Sequence, residues 1–214
     1  MINLNALLKY KKIENLGYDS VYTEQPVPDI VDFNWKEIIP PPPANTSKKT
    51  LEELKVVYNA SISRNKTDIE IVYNIDQNLD DIFIDLLDKY NINYPVDKIN
   101  EFYTIIEPIL LNIKGLWNRP RPAQLAPYYD LNIDVLVTNT HHTASYPSGH
   151  TVYSKLVALI LKEMYPSIKT SQLEDLVYET AKARVLQGVH YPSDNKASII
   201  LSTFLFNKLK EKIL

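Results

Sequence analysis

Between Ala183 and Asp194 the chain reads Ala-Arg-Val-Leu-Gln-Gly-Val-His-Tyr-Pro-Ser-Asp, placing a guanidinium (Arg184), an imidazole (His190) and a carboxylate (Asp194) within twelve residues. A neutral imidazole is a nucleophile toward phosphorus or carbon, and a carboxylate bonded to its far nitrogen aims it. Gly188 interrupts one helix and Pro192 suits the first position of the next. Asp194 then falls in a first helical turn, four residues after His190 and close enough to reach back to it. A histidine and an aspartate at this separation are also a common surface hydrogen bond, so the rest of the chain must decide.

Two further segments carry chemistry. In Lys114-Gly-Leu-Trp-Asn-Arg-Pro-Arg121-Pro122, cations leave a helix C-terminus and enter a turn stiffened by Pro120 and Pro122. They can grip an oxyanion, or simply cap the helix end, where positive charge gains about 0.3–1 kcal/mol. In Tyr146-Pro-Ser148-Gly149-His150-Thr151, a helix N-terminus offers unpaired amides and a positive dipole end, and Gly149 lets an anion approach the backbone. Ser148 adds a hydroxyl and His150 a proton donor; a serine helix cap beside an incidental histidine is the plainer alternative. The chain has four arginines, four histidines and four glycines, and most of them lie between Lys114 and His190. Positive charge elsewhere comes from lysine, so arginine is concentrated where bidentate oxyanion recognition would matter.

Taken together, the three segments resemble the signature of the type-2 phosphatidic acid phosphatase superfamily, which includes class A non-specific acid phosphatases and vanadium-dependent haloperoxidases. That pattern is Lys, six residues, Arg-Pro; then Pro-Ser-Gly-His; then Ser-Arg, five residues, His, three residues, Asp. Lys114, Arg121-Pro122, Pro147 to His150, Arg184, His190 and Asp194 match it in order and spacing over about residues 95 to 210. The one departure is Ala183, where the family has serine, which removes a hydroxyl able to orient a neighbour. The resemblance implies that Lys114, Arg121, Ser148, Gly149 and Arg184 bind phosphate. It makes His190 the nucleophile, Asp194 its orienting partner and His150 the general acid, with no metal and no cofactor. The implied activity is acid phosphatase-like hydrolysis of phosphomonoesters or related phosphoanhydrides through a phosphohistidine. Alternatives are a vanadate-dependent haloperoxidase with His190 on vanadium, a lipid phosphatase, and a non-catalytic phosphate-binding helical module. Arg119 lies outside the pattern and is read as added charge at the mouth of the site; His141 and His142 are read as exposed loop residues.

Composition bounds the rest. With 214 residues, 45% hydrophobic and 23% charged, the chain is expected to form one globular domain. A net charge of −3 gives no support for nucleic-acid binding, and the absence of cysteine excludes disulfides and thiolate ligands. No apolar run approaches the roughly 20 residues of a membrane span, and the first residues lack the order of a signal peptide. A cytoplasmic protein acting on a small phosphorylated substrate is therefore expected, with its oligomeric state open.

The elements needed to position these groups are helical. We expect an all-α single-domain bundle of about six main helices over residues 47–214, preceded by an irregular Pro-rich segment over residues 1–46. Pro26, Pro28 and the run Pro40 to Pro43 favour extended backbone, either a rigid lead-in packed on the body or a PxxP-type ligand. Capping-box spacings at Thr50/Glu53, Thr67/Glu70 and Ser171/Glu174 predict helix starts. Ile71, Ile75, Leu79, Ile82, Leu86 and Tyr90 trace one apolar stripe, with Asp80, Asp81, Asp85 and Asp88 on a solvated face. A second stripe runs from Val96 to Ile113 behind Pro95, with a kink at Pro108. A loop over 118–146, allowing a brief strand at Asp134 to Val137, leads to helices near 148–165, 171–187 and 192–212.

Overall fold

Ser47 ends the proline-rich lead-in by accepting a hydrogen bond from the Thr50 amide at 3.1 Å, and helix α2 (Lys48–Ser63) begins there. A computed structural model describes residues 4–18, 22–138 and 140–214 of the chain, and among them there is no β-strand. The helices are α1 (Leu4–Glu14), α2, α3 (Lys66–Gln77), α4 (Asp81–Asp88), α5 (Val96–Trp117), α6 (Pro122–Leu125), α7 (Gly149–Met164), α8 (Thr170–Leu186) and α9 (Pro192–Ile213). Six of them are twelve residues or longer, which is the all-α bundle expected.

Local details differ from the sequence expectation. The segment before residue 47 is not wholly irregular: it carries α1 and a short 3-10 turn at Trp35–Glu37. Its helix buries Ile13 in a small cluster with Leu54, Val57, Leu125 and Tyr191. Each predicted capping box sits two or three residues inside its helix. The actual N-caps are Ser47, Asn65 and Lys169, and Asn65 forms a reciprocal box with Asp68. A Ser/Thr-x-x-Glu spacing recurs within helices, whereas a cap needs extended backbone at its first residue. The stripe from Ile71 to Tyr90 is two helices, broken at Asn78–Asp80, and the segment Asp134 to Val137 is irregular rather than a strand. Asp81, Asp85 and Asp88 are exposed as expected, while Asp80 is half-buried and accepts a hydrogen bond from Tyr103 at 3.0 Å.

The main core joins Ile99, Phe102, Ile106, Ile109 and Ile113 of α5 to Val152, Leu156 and Ile160 of α7 and Leu201, Leu205 and Leu209 of α9. Each such side chain contributes about 1.5–3 kcal/mol on burial. Polar anchors then set the register of α7 against α9. Ser198 donates to the Ser148 carbonyl and Ser202 to the Val152 carbonyl, both at 2.9 Å. A constant offset over one turn makes the two helices parallel, so both positive dipole ends point the same way. Their first turns carry His150 and Asp194. The Pro run is tied to this end: the Tyr146 hydroxyl, just ahead of the Ser148-Gly149-His150 turn, donates to the Pro40 carbonyl at 2.5 Å. Further along the same face, the Tyr22 ring lies against Gly115, so closely that an added Cβ would collide with it. No helix among the described residues is long and apolar enough to cross a membrane.

Candidate active site

Five helix ends meet around His190. Lys114 stands in the last turn of α5, Arg121 at the N-cap of α6, and His150 in the first turn of α7. Arg184 closes the last turn of α8 and Asp194 opens α9. Between those two, Gly188 turns the chain at φ +87°, and a Cβ there would strike Ile133 at 2.9 Å. Only glycine combines that backbone with that space. The turn delivers His190 to the buried centre, 2% exposed.

The partners of His190 dictate its tautomer. Nδ1 lies 3.2 Å from Asp194 Oδ2, and Nε2 lies 2.9 Å from Arg121 Nη1. An ionised carboxylate only accepts and a guanidinium only donates, so the proton sits on Nδ1 and the lone pair on Nε2. Burial, followed by the positive field of Arg121, Lys114 and Arg184, pushes the His190 pKa well below its ordinary value. The ring is therefore neutral, with its lone pair directed at cations. Burial raises the Asp194 pKa, against the pull of Arg119, the Ser145 hydroxyl and the Tyr191 amide, all of which donate to its oxygens.

Lys114, Arg121 and Arg184 are all buried beside it. The Lys114 ammonium donates to the Ala144 carbonyl at 2.6 Å, and burial with the nearby Arg121 holds its pKa well below the usual lysine value. Arg121 also donates to the carbonyls of Thr143 and Val189, each at 2.9 Å. Ser148 is buried with its hydroxyl 3.1 Å from that of Thr151. A methyl at Gly149 would meet only Leu110, at 3.6 Å, so packing by itself does not demand glycine there. Arg184 donates through Nη1 to Asp76 of α3, which also accepts from Thr140. Burial alone would raise the Asp76 pKa, but these donors outweigh it and hold it at about 2. His150 Nε2 stands 4.0 Å from the same carboxylate oxygen. Burial first, then Arg184, lowers its pKa to about 3 against the opposing pull of Asp76. All eight residues singled out from the sequence thus lie at one end of the bundle.

A family model described as the PAP2 superfamily matches residues 102–209, half of the chain, and spans every one of these eight positions. The chain belongs to the PAP2 superfamily. Non-specific acid phosphatases of Salmonella typhi and Salmonella typhimurium are each 38% identical to it over 66 residues. That stretch is 31% of this chain and 26% of either relative, so the match spans about a quarter of their length. Two crystal structures share the fold. A vanadium-dependent bacterial iodoperoxidase superposes with a TM-score of 0.61 at 18% identity, covering 82% of this chain and 54% of that one. A transmembrane PAP2-type phosphatidylglycerolphosphate phosphatase from Bacillus subtilis gives 0.52 at 16% identity, covering 79% and 90%.

Within this PAP2 chain, Arg119 corrects the sequence reading. It does not lie at the mouth of the site but is 2% exposed behind it, 2.6 Å from Asp194 and 3.3 Å from Glu53, with Tyr191 stacked on its guanidinium at 3.8 Å. The two carboxylates supply the charge that makes burying an arginine tolerable. Glu53, which the sequence suggested as a capping residue, is one of those partners. Replacing Arg119 with methionine leaves buried Asp194 without its cation and Glu53 with only Lys49, 3.8 Å away, and we expect a loss of about 3–5 kcal/mol of stability. Urea denaturation at pH 7 measures it; a loss below about 1 kcal/mol, the range of an exposed ion pair, would return Arg119 to the surface role.

Asp76 and Ser145 also escape a reading of the sequence. Asp76 directly follows Ile75 on the apolar side of its helix, and a carboxylate bordering such a stripe is the available signal. Ala183, in place of the family serine, is 1% exposed and packs with Val72, Ile75 and Leu186, so its methyl helps seat the Asp76-bearing helix on α8. His142 is exposed as expected; His141 is half-buried, with Nδ1 3.2 Å from the Thr138 hydroxyl.

Proposed function

We propose that this PAP2 chain is a phosphatase that hydrolyses phosphomonoesters without a metal ion, through a phosphohistidine. The observation that carries the reading is the environment of His190: one nitrogen held by Asp194, the other offering its lone pair to a cluster of buried cations. A phosphoryl group is the anion that suits both, because its oxygens can take the Arg121 donor while its phosphorus faces Nε2. Lys114, Arg121 and Arg184, with the Ser148 hydroxyl and the Gly149 amide, bind the equatorial oxygens, and fixed donors of this kind stabilise charge that spreads in the transition state.

The Nε2–P bond forms as the ester P–O bond breaks, and the departing oxygen takes a proton from His150. Asp194 stabilises the positive charge that develops on the His190 ring. Water then attacks phosphorus, giving its proton to His150, and the Nε2–P bond breaks to release phosphate. His150 carries no proton at neutral pH with its pKa at about 3. A phosphoryl dianion offsets Arg184 and Arg121, so the proton His150 donates is taken up together with the substrate.

Orthovanadate tests the reading because it can become five-coordinate on Nε2 and imitate the transferring group. We expect competitive inhibition with Ki at least about ten-fold below that of phosphate, and full activity after exhaustive chelation. Activity lost on chelation and restored by magnesium or zinc would overturn the metal-free assignment.

A further inference from the structure

A cavity of about 420 Å³ opens beside the site, lined by Tyr73, Asp76, Gln77, Val137, Thr138 and Thr140. None of these six residues is positively charged. Asp76 is shared between the cavity and the site: its carboxylate accepts from Arg184 and stands 4.0 Å from His150 Nε2. A leaving oxygen hydrogen-bonded to His150 would sit within about 7 Å of that carboxylate. The charges there are closely matched. Lys114, Arg121 and Arg184 bring three positive charges when Lys114 is protonated, Asp76 cancels one, and the remainder suits a single phosphoryl dianion. Asp194 and Glu53 share Arg119 behind the site, and Lys49 stands 3.8 Å from Glu53, so two carboxylates there meet two cations and leave this balance unchanged.

We propose that this cavity receives the leaving group, and that Asp76 makes it select phosphate esters of neutral or amine-bearing alcohols over substrates whose leaving group is itself anionic. The proposal rests on the phosphatase reading. When the phosphoryl group claims Arg184, the Asp76 charge keeps only protonated His150, 4.0 Å away, and as that proton passes to the departing oxygen the carboxylate faces whatever occupies the cavity. A hydroxyl or an ammonium there gains an acceptor. A second phosphate meets a like charge at short range, with no lysine or arginine in the wall to offset it, and rejection by an unpaired charge is a direct route to specificity. Tyr73 and Val137 offer apolar surface, and Gln77, Thr138 and Thr140 offer hydrogen bonds, so a small polyol or amino alcohol fits the wall chemistry. Asp76 acts here as a specificity residue; the bonds made and broken are those of the mechanism above.

The test compares glycerol phosphate, phosphoethanolamine and pyrophosphate as substrates for wild type and for Asp76→Asn, which keeps the shape and an oxygen for Arg184. Wild type should favour the two esters over pyrophosphate by at least about ten-fold in kcat/KM. Asp76→Asn should shrink that preference about ten-fold, mainly through a lower KM for pyrophosphate, since one like charge at this range is worth roughly that factor. Gln77→Lys, a change at an exposed position, should move the preference in the same direction and serves if the first variant does not fold. Equal changes for all three substrates would reduce Asp76 to a structural role and overturn the proposal, as would a wild type indifferent to the leaving-group charge. Calorimetric Kd values for phosphate and pyrophosphate separate the two readings. A protein that hydrolyses none of the esters sinks the phosphatase assignment, whereas the ratio of the two Kd values, and its change in Asp76→Asn, still judges the charge selection.

Discussion

Replacing His190 with alanine is expected to lower kcat by at least about 10⁴-fold and to abolish covalent labelling by a phosphorylated substrate. The reason lies in the two contacts of the ring. Asp194 on Nδ1 and Arg121 on Nε2 leave one tautomer and one direction for the lone pair, which suits it to attack a phosphoryl group held by the same cations. His150 is the other imidazole at the centre, but its Nε2 faces Asp76 rather than a cation. Rapid quenching under alkaline conditions should trap an acid-labile, base-stable adduct on wild type, and none on His190→Ala. The variant should keep its fold, since the ring it loses leaves Arg119 and Ser145 still bonded to Asp194. Substantial turnover in that variant, or an adduct mapped to another residue, would show that the nucleophile lies elsewhere.

The second large effect separates His150 from His190 by the leaving group each one faces. General-acid help of the kind assigned to His150 contributes about 10²–10⁴-fold, and it matters most when the departing oxygen is a strong base. An alkyl phosphate needs that proton, whereas a nitrophenolate departs without it. His150→Ala should therefore lose about 10²–10⁴-fold on glycerol phosphate in the first step but far less on nitrophenyl phosphate. In the proposed mechanism His150 also takes the proton of the attacking water, so phosphohistidine breakdown should slow with either ester. The expected signature on nitrophenyl phosphate is a burst of nitrophenol, stoichiometric with protein, followed by slow turnover. Stopped-flow absorbance reads it directly, and His190→Ala should show no burst. Equal first-step losses on both esters would leave His150 as a shaper of the site and move the search for the acid to the half-buried His141.

Both predictions depend on residues that are legible in the amino-acid sequence. The reach from His190 to Asp194 follows from a glycine turn and a proline helix start, which are local, and the fold realises it as a contact of 3.2 Å. The helix endings that carry Lys114 and Arg184 are legible for the same reason, because helical periodicity and its interruptions are written in neighbouring residues. The Arg-Pro-Arg turn shows where such reasoning stops. Arg119 and Arg121 flank one proline and have identical chemistry, yet one donates to His190 and the other is clamped between two carboxylates behind it. The motif spacing singles out Arg121, but nothing local says that Arg119 turns away from solvent.

By itself, then, the sequence determined the all-α class and the order of the main helices, because each rests on interactions within about one helical turn, while the eight residues singled out for the centre were legible through their resemblance to the family motifs. Only the tertiary structure decided what those residues press against. Glu53 lies 66 residues from Arg119, and Asp76 lies 108 residues from Arg184. Such pairs follow from how α2 and α3 pack on the rest, which no spacing along the chain encodes. The split of the 71–90 stripe into α3 and α4 has the same origin: an apolar period continues through Asn78–Asp80, but packing lets the backbone turn there. The charge balance of the site is likewise a property of the folded chain. Burial removes the solvent that would screen each cation, and the carboxylates that compensate them arrive from helices far away in sequence.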